Sequence, residues 1–425
     1  MKDWEFFKNS ELISEKILEI GDGYRAKNTE FANEGLPFAR AGNINDGFQF
    51  ITTDLLNPKS VLKAREKISK VNDCVLTTKG TFGRVAYVRK NTQTFVYSPQ
   101  LCYWRSNDQS RLNSRFLFYW LQGPEFLIQA NQIKSSTDMA DYANLTDQRQ
   151  MEIHLPPLSI QKKIAAVLSA YDDLIETNER RIQILETMAE ELYKEWFVRL
   201  RFPGHETTKI VKGVPEGWEV KRAIDIFNIL GGGTPNTDRQ EYWNGNIPFF
   251  TPKDSHQGYF CMVTEKGITP LGLENCNSKL YSKFTIFITA RGTVGNISLP
   301  CKPMAMNQSC YALVPKENDN LYFHFLALKN SVDVIKGRSN SGVFDNIITD
   351  SFKVFGYFIP DDSTLKMFSN IINPFFIQLE NLLNANSLLK TSRDRLLSRL
   401  VSGKIDLSNL DIQFPPSMKE EINHG

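Results

Sequence analysis

The sequence lacks the cysteine and histidine patterns of a metal centre or a disulfide scaffold. Its six cysteines include no Cys-x-x-Cys pair, and its five histidines share neither a helical face nor a ligand spacing. We therefore predict no metal site, and we expect reduced cysteines in a cytoplasmic protein. No apolar leader core begins the chain, and no run approaches the roughly 18 apolar residues of a membrane helix, so neither secretion nor a membrane span is expected.

The chain also lacks a strong excess of either charge, because its 50 Lys and Arg residues nearly balance its 48 Asp and Glu residues. Proteins that grip DNA through its phosphates alone are usually more basic. A weakly basic protein can still read DNA as part of a larger assembly, so the charge leaves this class of partner open.

Two long segments have the heptad spacing of a coiled coil. Apolar residues alternate steps of four and three from Ile164 to Trp196, and the same alternation returns from Phe368 to Leu400 at a constant offset. This spacing is typical of helices that pair along a seam. The alternative is two unrelated amphipathic helices that pack on separate cores, but such helices would not need the same register. The predicted seam residues are Ile164, Leu168, Tyr171, Ile175, Ile182, Leu185, Leu192, Phe368, Ile372, Leu379, Leu389, Leu396 and Leu400.

Each seam contains one asparagine near its middle, Asn178 in the first and Asn386 in the second. A buried asparagine can fix the register of a coiled coil, but both side chains can equally face water. Asp361, Asp362 and Ser363 are candidate N-caps for the second helix, and Pro374 is expected to kink or interrupt its first turns.

The rest of the chain repeats as well. "KGTFGRVAYV" from Lys79 is similar to "RGTVGNISLP" from Arg291, and "SPQLCYW" from Ser98 is similar to "MNQSCYA" from Met306. The matching pieces occur in the same order in both halves, as in an internal repeat with loop insertions. Residues 284–289 read as a strand and residues 114–122 as a helix, so each half has mixed character.

We therefore predict an α/β (α+β) fold in which two similar globular domains are separated by two long antiparallel coiled-coil helices, with a pseudo-two-fold internal repeat. The helices are antiparallel because the first leads to the second domain and the second must run back to pair. About forty residues at about 1.5 Å each make a rod of roughly 60 Å. The predicted ranges are 1–155 and 203–361 for the domains, 156–202 and 362–404 for the helices, and 405–425 for a tail.

Five segments, taken in their order along the chain, resemble the specificity subunits of type I restriction–modification systems. They are "LPPLSIQKKIAAVLSAYDDLIETN" (155–178), "GVPEGWEVKR" (213–222), "GGGTPNTDRQEYWNGNIPFFTPKD" (231–254), "ARGTVGN" (290–296) and "LLSRLVSGKID" (396–406). The resemblance covers nearly the whole chain. It is weaker in the first half, where Gly21-Asp22-Gly23-Tyr24 replaces the Gly-Gly-Thr-Pro of residues 232–235.

The resemblance implies a non-catalytic subunit whose two target-recognition domains each read one half of a split site in double-stranded DNA. It implies two modification subunits as partners, which methylate adenine with S-adenosylmethionine. It also implies restriction subunits, which translocate and cleave DNA with ATP and Mg²⁺. No cofactor is expected in this chain. The alternative is a coiled-coil scaffold whose paired heads bind proteins and do not touch DNA.

Motifs of catalysis are incomplete or missing. Residues 373–376, Asn-Pro-Phe-Phe, lack the second proline of the adenine-methyltransferase motif and lie on the second seam. The glycine-rich segment from Gly231 is not followed by the Lys-Ser/Thr of a phosphate-binding P-loop. We therefore predict no catalytic residue in this chain.

Polar and basic loop residues that recur in both halves are the predicted DNA contacts, because a glycine beside Lys or Arg lets a backbone N–H approach a phosphate. A solvated hairpin tip is the alternative. Gln100 and Gln308 can read adenine or stabilise a turn. Base-reading residues are expected to differ between the halves. The predicted set is Arg40, Asn43, Lys79, Thr81, Arg84, Gln100, Lys134, Lys253, Asp254, His256, Arg291, Thr293, Asn296, Gln308 and Arg338.

Overall fold

The computed structural model describes residues 4–45, 47–79, 83–132, 144–256, 258–317, 320–338 and 346–422. The chain divides into two compact units, one formed by Met1–Glu176 with Leu388–Gly425 and the other by Thr177–Ser387. The predicted domain boundaries fall at helix ends, whereas these units divide inside the two long helices. Within the described ranges, no helix is long and apolar enough to cross a membrane.

The first unit combines short strands with helices of about two turns. Its strands are β1 (Glu5–Lys8), β2 (Leu18–Asp22), β3 (Phe31–Ala32), β4 (Leu36–Ala39), β5 (Leu55–Leu56), β6 (Cys74–Thr77), β7 (Val85–Tyr87), β8 (Val96–Tyr97), β9 (Leu101–Ser106) and β10 (Glu152–Leu155). Its helices are α1 (Asn9–Ser14), α2 (Pro58–Ala64), α3 (Ser114–Trp120), α4 (Pro124–Gln132), α5 (Leu145–Gln150) and the first part of α6 (Leu158–Tyr193). The predicted helix over residues 114–122 is confirmed in part as α3, which ends at Trp120.

An antiparallel sheet in the order β2-β9-β6-β7 forms the centre of the first unit, and a second sheet has the order β3-β5-β4-β8. The central strand β9, LCYWRS, is buried along nearly its whole length, as expected for a strand covered on both faces. On one face Trp104 joins Trp120 and Phe126 in the larger core, and on the other Tyr103 joins a smaller core that contains Phe95.

The second unit has the same kinds of element. Its strands are β11 (Ile210–Val211), β12 (Val214–Pro215), β13 (Glu219–Arg222), β14 (Phe227–Gly231), β15 (Trp243–Phe250), β16 (Phe260–Cys261), β17 (Lys266–Ile268), β18 (Ile286–Thr289), β19 (Ile297–Pro300), β20 (Ala305–Met306), β21 (Cys310–Pro315) and β22 (Gly356–Ile359). Its helices are α7 (Ala223–Ile226), α8 (Pro270–Glu274), α9 (Leu321–Arg338) and most of α10 (Asp362–Leu400), whereas α11 (Pro416–Ile422) lies in the first unit.

Strand pairing repeats between the two units. The order β14-β21-β18-β19 in the second unit matches β2-β9-β6-β7 in the first. In the second unit this sheet has one more strand, β16, which lies next to β19. The antiparallel pair β13–β22 matches β1–β10, and the parallel pair β15–β20 matches β4–β8. The two halves therefore share one topology, as the sequence repeat predicts.

The two long helices are antiparallel. Within the second unit, the Asn178 Nδ2 donates a hydrogen bond to the Asn386 Oδ1 at 2.8 Å, and the Trp196 ring lies 5.6 Å from the Phe368 ring. Later residues of α6 thus meet earlier residues of α10. Asn386 is only 7% exposed and Asn178 is half-buried, so the asparagine pair forms a polar layer in the seam. This favours the register-fixing interpretation.

Every predicted seam residue is buried or half-buried. The helix α6 ends at Tyr193 and is followed by a π-helical turn over Lys194–Val198, so it is shorter than the predicted range. The predicted interruption at Pro374 is not seen, because α10 runs through it without a break. Pro374 lies on the exposed face, while Ile372 and Phe376 on either side are fully buried and hold the helix in place.

Equivalent glutamates tie each unit's strands to the long helix that follows them in the chain. In the first unit Glu176 on α6 pairs with Arg89, which follows β7. In the second unit Glu380 on α10 pairs with Lys283 at 2.6 Å, just before β18. The two glutamates occupy the same position of the internal repeat.

Candidate nucleic-acid interface

A threonine closes the loop between β6 and β7 in the first unit. The Thr77 amide donates to the Arg84 carbonyl at 3.0 Å, and the Arg84 amide donates back to the Thr77 Oγ1 at 3.0 Å. Gly83 has a φ of +96°, which falls in the left-handed region that glycine adopts without strain. The residues that flank this loop, Lys79 and Arg84, are both exposed.

The loop between β18 and β19 in the second unit is built in the same way. The Thr289 amide donates to the Asn296 carbonyl at 2.9 Å, and the Asn296 amide donates to the Thr289 Oγ1 at 3.0 Å. Gly295 has a φ of +78°, like Gly83 in the first unit. Arg291 takes the place of Lys79 and is exposed. The described ends of the two loops are therefore closed by equivalent hydrogen bonds.

A short 3₁₀ turn follows β4 in the first unit and β15 in the second, over Ala41–Asn43 and Pro252–His256. The Asn43 Oδ1 accepts from the Arg40 amide at 2.8 Å, and the Asp254 Oδ2 accepts from the Thr251 amide at 2.8 Å. These two side chains thus close the same turn.

Both residues were predicted as DNA contacts, and in the structure both side chains close the turn. Asn43 is half-buried, and its contact with DNA stays a prediction. Asn43 also donates to the Gln49 carbonyl and the Thr53 Oγ1, each at 2.8 Å. Asp254 is 4% exposed, and its Oδ1 accepts from the Glu265 amide at 2.9 Å. A buried carboxylate with both oxygens engaged cannot meet a duplex.

The strand loop and the 3₁₀ turn touch each other in each unit. In the first unit the Arg84 Nη1 donates to the Ile44 carbonyl at 3.2 Å. In the second unit the Ser255 Oγ lies 3.0 Å from the Thr293 Oγ1 and accepts from the Asn296 Nδ2 at 3.2 Å. In each unit, residues distant in sequence therefore meet at one edge. Arg84 holds the strand loop to the 3₁₀ turn in the first unit, and Thr293 and Asn296 do so in the second.

The two glutamines face different partners. The Gln100 Oε1 accepts from the Ala41 amide at 3.0 Å, and this partner can only donate, so the amide orientation is determined. Gln100 therefore stabilises the turn in this structure. Its Oε1 has a second lone pair, so the reading of adenine by Gln100 stays a prediction. The Gln308 Oε1 accepts a hydrogen bond from the Thr234 hydroxyl, and the Gln308 side chain is exposed.

The segments that follow β2 and β14 have different sequences but make an equivalent backbone hydrogen bond. The Tyr24 amide donates to the Tyr97 carbonyl at 2.7 Å, and the Gly233 amide donates to the Met306 carbonyl at 3.0 Å. The missing Gly-Gly-Thr-Pro of the first half thus does not change this loop's anchoring bond.

Several predicted cations lie on the same loops. Arg40 pairs with Asp54 at 2.7 Å, and Lys253 lies 3.7 Å from Glu265, while His256 is exposed. Of the other predicted residues, Thr81 and Lys134 lie outside the described residues. Arg338 ends α9, and its side chain is likewise outside them.

Sequence reasoning missed the residues that build the loops. Thr77 and Thr289 precede the predicted Lys79 and Arg291 by two residues in both halves, so the repeat contained this signal. Asp54 had no such signal, because only the fold shows that it pairs with Arg40.

The chain matches the family described as "Type I restriction modification DNA specificity domain" over residues 1–187 and 215–389. It is 30% identical over 274 residues to the type I restriction enzyme MjaIX specificity subunit of Methanocaldococcus jannaschii, a match that spans 62% of each chain. It is 24% identical to the HindI specificity subunit of Haemophilus influenzae over 95% of this chain and 100% of that subunit.

A solved structure has the same fold. The S subunit of a type I restriction–modification system from M. genitalium aligns with a TM-score of 0.53 at 17% identity, covering 94% of this chain and 96% of that one. Each family match covers one of the repeated halves together with most of the long helix at its end. The chain belongs to the specificity subunits of type I restriction–modification systems, with two target-recognition domains.

Proposed function

We propose that this chain reads a split target in double-stranded DNA, one half-site for each recognition domain, within a complex of modification and restriction subunits. The observation that carries the proposal is the pair of loops at one edge of each unit's sheet, built by equivalent threonine, glycine and turn contacts. A construction repeated in both halves suits a target that also has two related parts.

The repeated features of the loops suit the DNA backbone. Lys79 and Arg291 occupy equivalent exposed positions beside glycines, where a cation neutralises a phosphate and a backbone N–H can approach it. Phosphate contacts carry no sequence information, so the same residues can serve both halves. The residues that differ between the halves are then left to select the bases.

The chain itself performs no chemistry in this proposal. Residues 373–376, the nearest match to a methyltransferase motif, lie inside α10 and not in a loop after a strand. Methyl transfer with S-adenosylmethionine and DNA translocation with ATP and Mg²⁺ are left to the partner subunits, and no cofactor binds here. Such a role places the chain in the cytoplasm with the chromosome.

The proposal is tested by producing the full chain with its modification subunits and sequencing the methylated adenines in the host DNA. We expect one motif made of two specified half-sites separated by an unspecified gap. Binding of the purified complex to a duplex that contains this motif should exceed binding to a scrambled duplex. A complex that shows neither the motif nor preferential binding would leave the scaffold with protein-binding heads as the better account.

A further inference from the structure

Arg40 is a cation on the first unit's loops at a backbone position where the second unit has no cation. The bond from the Arg40 amide to Asn43 matches the bond from the Thr251 amide to Asp254, so Arg40 and Thr251 are equivalent positions. An arginine thus stands in one half where the other has a threonine. Contacts to phosphates can repeat, but residues that select bases must differ when the two half-sites differ.

The guanidinium of Arg40 is held in place. Its Nη2 bonds the Asp54 Oδ2 at 2.7 Å, and its central carbon lies 5.6 Å from the Phe31 ring centroid and 5.4 Å from that of Phe38. Cations pack favourably over aromatic faces at such distances. The side chain nevertheless remains 39% exposed, so part of the guanidinium reaches solvent at the edge of the loop.

We propose that Arg40 reads a guanine in the half-site of the first recognition domain, an inference that rests on the proposed function. Guanine presents two acceptors, N7 and O6, in the major groove, and arginine binds both at once. Asp54 engages one nitrogen of a group with five N–H donors, which leaves donors for both base atoms. Asp54 is a positioning residue, because it orients the guanidinium without touching the base.

Lys79 and Arg84, the other described cations of the predicted set in the first unit, fit this role less well. Lys79 has an equivalent cation in the second unit, so it suits the backbone of either half-site. Arg84 donates to the Ile44 carbonyl and holds the two loops together. At the equivalent edge of the second unit, Lys253 lies 3.7 Å from Glu265 and has a different shape from Arg40. The second half-site therefore does not need a guanine at the corresponding position.

The test uses the complex of the full chain with its modification subunits and the target defined by its own methylation. Binding is measured to duplexes in which each base pair of both half-sites is varied in turn. We expect Arg40→Ala to lower affinity for the parent site by about five- to 150-fold and to abolish the preference at one G·C pair of the first half-site. Arg40→Lys should keep the salt dependence and weaken that preference, because an ammonium lacks the planar fork of the guanidinium.

Two further variants separate reading from positioning and from general damage. Asp54→Asn should weaken the same single-position preference by less than Arg40→Ala does. Arg111→Ala is the matched control, because Arg111 is an exposed arginine of the same unit paired with Glu15. It should bind every duplex as the wild type does.

A change on the DNA side keeps the proposal testable even if a variant folds poorly. Replacing the guanine by 7-deazaguanine removes the N7 acceptor, which should weaken wild-type binding and leave Arg40→Ala binding unchanged. The proposal is overturned if no guanine of the first half-site is sensitive in the wild type. It is also overturned if Arg40→Ala keeps every base preference or weakens all duplexes equally with a lower salt slope. If the motif methylated by the wild-type complex has no first half-site, the proposed function itself is refuted.

Discussion

At the residue scale, side chains that look alike in the sequence have different tasks. Arg291 lies exposed on its loop, Arg84 holds two loops together, and Arg40 is oriented by Asp54 and two phenylalanine rings. Asp254, with a charge that DNA would repel, is buried and shapes the turn. The chemistry available to DNA therefore depends on the partners of each side chain more than on its type.

Arg291→Ala should weaken DNA binding without changing base preference. The loss of one exposed cation removes one phosphate contact, so we expect roughly a three- to tenfold lower affinity at low salt and a salt slope reduced by about 1. The measurement is a titration of the complex with its target duplex at several salt concentrations. Lys221→Ala, which removes an exposed cation on β13, is the control and should bind like the wild type. Unchanged binding by Arg291→Ala would show that this loop does not contact DNA.

Asp361 gives the second recognition unit a pH dependence. Partial burial opposes ionisation of this N-cap, but hydrogen bonds from Ser363, Thr364 and the Trp218 indole outweigh it and hold the pKa at about 2. Because the folded pKa lies below the unfolded value of about 3.9, the carboxylate stabilises the fold above about pH 4, and this contribution is lost as the pH falls towards 2.

Asp361→Ala should therefore lower the free energy of unfolding by about 1 kcal/mol at pH 7. The difference from the wild type should shrink between about pH 4 and pH 2, as measured by urea denaturation across that range. Asp362→Ala, one residue further along at an exposed position, should change stability by less than about 0.5 kcal/mol. A difference independent of pH would mean that the Asp361 charge does not matter.

At the scale of elements, the long helices combine an apolar seam with one polar layer. Seam residues such as Leu168, Ile372 and Leu379 are fully buried, whereas Asn178 and Asn386 bond to each other. The apolar positions supply most of the pairing energy, but they would tolerate a slip of one heptad. The asparagine pair disfavours such a slip, because each amide would then face an apolar side chain.

The asparagine layer should show strong coupling between its two members. Asn178→Leu leaves the buried Asn386 amide without this partner, and we expect a loss of about 1–3 kcal/mol in the free energy of unfolding. The double variant Asn178→Leu with Asn386→Leu should recover that loss, since both polar groups are replaced by apolar ones. Denaturant unfolding of the four proteins in the cycle measures the coupling. Strictly additive effects would show that the two side chains do not depend on each other.

At the scale of the whole molecule, one arrangement of strands and one following helix occur twice in the chain. Glu176 and Glu380, at the same position of the repeat, each pair with a cation beside a strand of their own unit's sheet. The helix α6 has 36 residues and α10 has 39. We propose that the length of these helices sets the gap between the two half-sites.

Removing residues 177–183 from α6 together with residues 381–387 from α10 should shorten that gap. These heptads face each other around the asparagine pair, and their removal retains Glu176 and Glu380. One heptad corresponds to about 10 Å of helix, or roughly three base pairs at about 3.4 Å each. Methylation sequencing of cells that contain the variant measures the gap. An unchanged gap would refute the role of the helices as a spacer.

The repeat, the two helices and their register follow from the sequence without coordinates. Heptad spacing is a local pattern that repeats over many residues, so each added turn strengthens the prediction, and the same register in both segments implies that they pair. The family resemblance has the same origin, since its segments recur in order along the chain. The strand at residues 284–289 is confirmed in part, as β18 begins at Ile286.

The roles of the loop residues required the folded chain. Asn43, Gln100 and Asp254 are polar residues in loops, and nothing in their neighbours distinguishes a side chain that closes a turn from one that meets DNA. Their assignments depend on contacts such as Gln100 with Ala41, which lie far apart in sequence and meet only when the sheets form. Long-range hydrogen bonds leave no periodic trace, so composition and spacing could name candidate loop residues but could not show which of them build the loops.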